Sequence, residues 1–121
     1  MLCYSILQPE GILIIRPTAP LSKDDFRDLS VQVDRYLAVH IRLHGVLIQA
    51  KVFPGWENFG GFRAHIDFVR SYGHQVERIA VVTDSPIAGI AALFAKYAIS
   101  AQFMRFPFTQ YDEALHWLQA V

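Results

Sequence analysis

Short apolar runs alternate along this chain with stretches of helical periodicity, and that alternation constrains its fold most. Residues 2–8 place Leu2, Tyr4 and Ile6 on one side and Cys3, Ser5 and Leu7 on the other, the period of a strand. Pro9-Glu10-Gly11 reads as a tight turn, so the next run, residues 12–16, is expected to return antiparallel. Residues 46–50 and 79–82 are short apolar runs, as in strands covered on both faces, and residues 101–106 form the last strand. Between the runs lie helix signals. Ser22 is placed as an N-cap with Asp25 three residues on, a carboxylate version of the capping box. Phe26, Leu29, Val33 and Leu37 then share one face, while Asp24, Arg27, Asp28 and Asp34 look outward, and Gly45 is expected to stop the segment. A second helix begins near Asn58 and ends at Gly73, with Phe62, Ile66 and Val69 inward. Asp84 or Ser85 caps a third, with Pro86 in its first position. Thr109 is expected to cap the last, with Asp112 three residues later and Ala114, Leu115 and Leu118 packed inward. The order β-β-α-β-α-β-α-β-α predicts a single α/β domain over residues 1–121. Its sheet has five strands and is mixed, mostly parallel with the first strand antiparallel, and it carries about four helices.

Composition narrows the function classes. Hydrophobic residues make up 53% of the chain and charged ones only 18%, which excludes disorder, and one cysteine excludes a disulfide scaffold. Eleven basic residues balance eleven acidic ones. A net charge of zero gives no means of neutralising a phosphate backbone, so no nucleic acid partner is expected, and it permits self-association. The first residues have no basic region, and their apolar stretch is broken by Gln8, Pro9 and Glu10. No signal peptide or membrane-spanning helix is therefore expected, and the expected location is the reducing cytoplasm.

Three stretches carry a family likeness: Phe53-Pro54-Gly55-Trp56 after the middle strand, Arg78-Ile79-Ala80-Val81-Val82-Thr83-Asp84 before the third helix, and Tyr111-Asp112-Glu113-Ala114-Leu115-His116-Trp117-Leu118 at the end. In this order and spacing the chain resembles the SpoIIAA-like branch of the STAS-type fold, with a further resemblance to CRAL-TRIO-like lipid-binding domains. The resemblance implies a sheet with helices wound along it, and a role in regulation or in binding lipid-like ligands near membranes. It does not imply an enzyme. Phosphorylation-controlled anti-sigma-factor antagonists of this fold carry a Ser or Thr where the middle strand passes into the next helix. Here that junction, residues 51–58, contains no hydroxyl side chain, so it offers nothing to phosphorylate.

The chemistry-bearing residues assemble no catalytic pattern. His40 and His44 bracket a helix end and Gly45, with no second cysteine or close carboxylate to complete a metal site, and His65, His74 and His116 lie on different elements. Asp84-Ser85-Pro86 lacks the glycines of a nucleophile elbow. Cys3 sits in an edge strand away from any helix N-terminus. Gly60-Gly61 matches neither phosphate-binding glycine pattern. No enzyme, metal or cofactor is expected.

Apolar excess is the positive signal. Residues 86–98 carry a single charge, Lys96, where a helix lying on a sheet should show a polar outer face. Nearby, residues 53–62 hold four aromatics and three glycines, a plausible hinge. That loop and Thr83-Asp84-Ser85 should be neighbours at the carboxyl ends of parallel strands. The expectation is a non-enzymatic binding domain with an apolar cleft between the second and third helices. Phe53, Trp56, Phe59 and Phe62 form its lip, and Ile87, Ile90, Leu93, Phe94 and Tyr97 the opposite wall. The expected occupant is a hydrophobic small molecule or a lipid. A membrane surface, giving peripheral attachment, and a homodimer are further ways to cover the same apolar surface. The rival reading is a protein-interaction module of the anti-sigma-factor-antagonist type without the phosphorylatable residue.

Overall fold

The computed structural model describes residues 2–8, 10–86 and 101–120. Strands β1 (Leu2–Leu7) and β2 (Ile12–Pro17) are followed by helix α1 (Lys23–Leu37) and strand β3 (Leu43–Gln49). Helix α2 (Phe59–Tyr72), a single 3-10 turn (Gly73–Gln75), strands β4 (Val76–Val82) and β5 (Gln102–Phe106) and helix α3 (Tyr111–Gln119) complete the order. The strands lie side by side in sequence order, β1-β2-β3-β4-β5. β1 pairs antiparallel to β2, with Leu2 opposite Pro17 and Leu7 opposite Ile12, and all other pairings are parallel. The expected α/β architecture and mixed five-stranded sheet are thus present. Three α-helices are described; the fourth expected helix, residues 86–98, lies outside the described residues apart from Pro86.

The apolar runs follow from a sheet covered on both faces. Leu13, Ile15, Val46, Ile79 and Val81 belong to one core layer with Leu29, Val33 and Tyr36 of α1. Ile12, Ile14, Leu47, Ala80 and Val82 turn the other way, onto Ala114 and Leu118 of α3. Alternate residues of one strand therefore enter different cores, so residues 12–15 of β2 and 79–82 of β4 are apolar on both faces, while Arg16, Glu77 and Arg78 sit nearer the strand ends.

Local signals set the helix ends. Gly11, with φ +73°, turns the β1–β2 hairpin, and its N–H donates to Leu7 O at 2.8 Å. At the start of α1 the Ser22 hydroxyl accepts from Asp25 N at 3.1 Å, and the Asp25 carboxylate accepts from Ser22 N at 2.9 Å. This is the expected capping box, and Ser22→Ala is expected to cost about 1 kcal/mol in urea unfolding. Asn58 caps α2 by accepting from Gly61 N at 3.0 Å.

Two boundaries differ from expectation. Gly45 does not end the first helix, which stops at Leu37; Gly45 lies inside β3. The apolar stripe of α1 runs out sooner, since Val39 and Ile41 are both exposed. Gly45 is small for another reason: a Cβ there would stand 2.9 Å from Leu118 Cδ2. Nor does Thr109 cap α3. Gln110 occupies the cap without a side-chain bond, and a turn in which Gln110 N–H donates to Pro107 O at 2.9 Å delivers the chain to the helix.

Candidate functional site

The site begins where β3 ends. Ala50 N–H donates to Val82 O at 3.1 Å and Asp84 N–H to Lys51 O at 3.0 Å, so the loops after β3 and β4 continue the pairing of their strands. Phe53 N–H then donates to the Ser85 hydroxyl at 2.9 Å, and Thr83 Oγ1 donates to Lys51 O at 3.3 Å. The two loops are neighbours, as expected from their shared end of the sheet. Gly55, with φ +81°, reverses the chain and brings Trp56 alongside Leu21. Leu21 N–H donates to Gly55 O and Glu57 N–H to Leu21 O, both at 2.8 Å. Trp56 is thereby clamped to the segment that leads into α1.

The indole is the hub of an aromatic cluster. Phe53 and Phe62 meet it edge-on, with centroids 5.1 and 4.8 Å away. Its N–H donates to His65 Nδ1 at 3.1 Å. His65 in turn stacks on Phe26 of α1, centroids 4.7 Å apart and planes within 20°. Burial pushes the His65 imidazole pKa down to about 4. The hydrogen bond acts in the same direction, because indole N–H can only donate and Nδ1 must stay bare to accept.

Behind this cluster, between α1 and α2 and the sheet, lies a cavity of about 510 Å³. Phe53, Trp56 and Phe62 line it, with Ile66 and Val69 of α2 and Ile15, Ile48 and Val81 of the sheet. No charged side chain is among its described lining residues, and its polar side chains are few: His65, Tyr72, Thr83 and Ser85. Most of these are engaged, the Tyr72 hydroxyl donating to Asp34 at 2.6 Å and Thr83 and Ser85 holding the two loops.

Three of the four residues expected at the lip are thus brought together. Phe59 meets the cluster only at its rim: its ring lies 6.1 Å from that of Phe62, but it is 74% exposed at the first turn of α2 and does not line the cavity. Ile87, Ile90, Leu93, Phe94 and Tyr97 lie outside the described residues. The glycines that suggested a hinge include one with a packing reason, since a Cβ on Gly61 would collide with the Leu21 carbonyl oxygen. In the sequence His65 reads as an isolated histidine. Its spacing was legible, three residues after Phe62 and four before Val69, on the inward stripe. Elsewhere His40 stacks on Tyr36 at 4.0 Å and His44 pairs with Glu77 at 2.8 Å. Among the described residues no three potential metal ligands come together, and no helix is long and apolar enough to cross a membrane.

Comparison with known proteins agrees with the fold. The SpoIIAA-like family model matches residues 12–119, and the chain belongs to that family. A crystal structure of an uncharacterized protein of the DUF3478 family from Shewanella loihica PV-4, described as having a SpoIIAA-like fold, superposes with a TM-score of 0.68. That likeness covers 98% of this chain and 92% of the other at 17% identity, a likeness of fold alone. No curated protein sequence matches this chain.

Proposed function

We propose that this domain is a non-enzymatic binding domain whose cavity takes a hydrophobic small molecule. The observation that carries the reading is the volume of the cavity together with its lining. Its 510 Å³ falls within the range of small-molecule pockets, roughly 300–1,000 Å³. Left unfilled, apolar walls of this extent forgo the burial and dispersion contacts that stabilise a packed core. Water is a poor filler, because a buried water needs two to four polar partners and this lining has few to offer. An apolar molecule gains what the walls lack, dispersion contacts and removal of its own surface from water.

The test is native mass spectrometry of the freshly purified protein, followed by mass spectrometry of its organic extract. A bound apolar species, absent from the Ala50→Leu variant, is expected; Ala50 is a small residue on the cavity wall. Ala50→Leu is also expected to keep or raise the melting temperature, since it fills space rather than overpacking it. A species that persists unchanged in Ala50→Leu would place it elsewhere on the protein.

A second reading rests on the β3–α2 junction. Val52 and Phe59 are 70% and 74% exposed there, where antagonists of this family type carry their switch. An interaction module without a phosphorylatable residue would dock a protein partner on these side chains. For that reading, Phe59→Asp should abolish partner capture and leave the cavity species in place.

A further inference from the structure

We propose that the occupant of this cavity is an uncharged, largely apolar molecule carrying one acceptor oxygen, such as a ketone, ester or ether, and that His65 Nε2–H donates to it. The proposal rests on the reading of the cavity as a binding site and adds the chemistry of the ligand. Trp56 Nε1–H donates to His65 Nδ1 at 3.1 Å. An indole nitrogen has a proton and no lone pair to offer, so Nδ1 is the bare nitrogen and the proton of the neutral ring sits on Nε2. His65 lines the cavity, and the described residues supply Nε2–H with no acceptor. No fully buried side-chain nitrogen or oxygen among the described residues lacks a partner, so this unpaired donor keeps an accessible surface at which a ligand oxygen can accept.

The ligand's charge follows from the walls. The described lining holds no lysine or arginine, so a carboxylate would enter without a counter-ion and lose its hydration. The ring itself resists protonation, with burial holding its pKa near 4, so it meets the ligand as a neutral donor rather than as a cation. Neutral donor and neutral acceptor are the complementary pair. Ser85 is the other wall residue with a hydroxyl proton to place, and its oxygen already accepts from Phe53 N–H.

Three matched probes test this by isothermal titration at pH 7.5: naphthyl methyl ketone, isopropylnaphthalene, in which a methyl replaces the oxygen, and naphthoate. The wild-type protein is expected to prefer the ketone to the hydrocarbon by roughly three- to tenfold, the worth of one neutral hydrogen bond, and to bind naphthoate most weakly. His65→Phe should bring the ratio to one while the hydrocarbon still binds. His65→Gln, whose amide can accept from Trp56 and still donate, should restore part of it and guards against a folding defect in the first variant. Ser85→Ala tests the other wall hydroxyl: it loosens the loop that Phe53 N–H holds and so weakens both probes, but the preference for the ketone should survive it. Equal binding of ketone and hydrocarbon, a preference surviving His65→Phe, or one removed by Ser85→Ala would overturn the donor assignment while leaving the binding cavity intact. Naphthoate binding tightest would overturn the uncharged class. If neither neutral probe binds, the cavity reading falls and this proposal with it.

Discussion

Acidification from pH 6.5 to 4 is expected to cost this domain about 3 kcal/mol through His65 alone. The folded pKa, about 4, lies below the ordinary value of 6.5. In that window the unfolded chain binds a proton at this site and the folded chain does not, so stability falls as pH falls, by about 1.4 kcal/mol per unit. Above pH 6.5 the contribution is fully present, and below pH 4 the loss levels off. Other groups titrate in the same range, so the informative quantity is the difference between wild type and His65→Gln. Urea unfolding at pH 7 and pH 5 should show wild type losing about 2 kcal/mol more than the variant. Equal losses would mean that His65 titrates freely, and that the indole bond and the burial around it do not hold in solution.

Trp56→Ala is expected to have the other large effect, a loss of about 2–4 kcal/mol at pH 7. It removes edge-on contacts with Phe53 and Phe62 and leaves His65 Nδ1 without its donor. Full truncation of a buried aromatic costs about 3–5 kcal/mol, and Trp56 is only partly buried, so the lower part of that range applies. The same variant should weaken isopropylnaphthalene binding at least tenfold, because the indole is a cavity wall. A stability loss with binding intact would make Trp56 a core residue and nothing more. Trp56→Phe separates its two roles. It keeps a ring on the wall but not the N–H, so it should retain hydrocarbon binding, let the His65 pKa rise, and flatten the acid slope just described.

These effects hang on contacts that the sequence showed unevenly. The sheet was legible because its signals are local. Alternation in β1, the hairpin glycine and the two-sided apolar runs each restrict backbone and burial without reference to distant residues. Ser22 with Asp25, and Asn58, announced their helix starts for the same reason. Gly45 misled because a glycine after a helical stretch commonly stops it, whereas here Leu118, 73 positions later, requires the missing side chain. Nothing near Gly45 in the chain carries that information. The cavity shows the same division. Clustered aromatics marked Phe53, Trp56 and Phe62, and the shared strand end brought the two loops together. The expected cleft lay between the second and third helices, and the third lies outside the described residues apart from Pro86; the described part of the cavity lies under α1 and α2 and reaches Thr83, Ser85 and Pro86, with Phe26 stacked on His65 across 39 positions of sequence. His65 looked isolated because its partners are an indole nine residues earlier and a ring on another helix, and neither pairing has a fixed spacing.

The most direct test of the binding cavity is methyl NMR of the protein titrated with isopropylnaphthalene. The two faces of one sheet serve as signal and control. Methyls of Ile15, Ile48, Ile66 and Val81 line the cavity, whereas those of Ile12, Ile14, Leu47 and Val82 pack under α3 on the opposite face. Saturable shifts confined to the first group are the predicted result. Shifts spread equally over both faces, or none up to the probe's solubility limit, would contradict it.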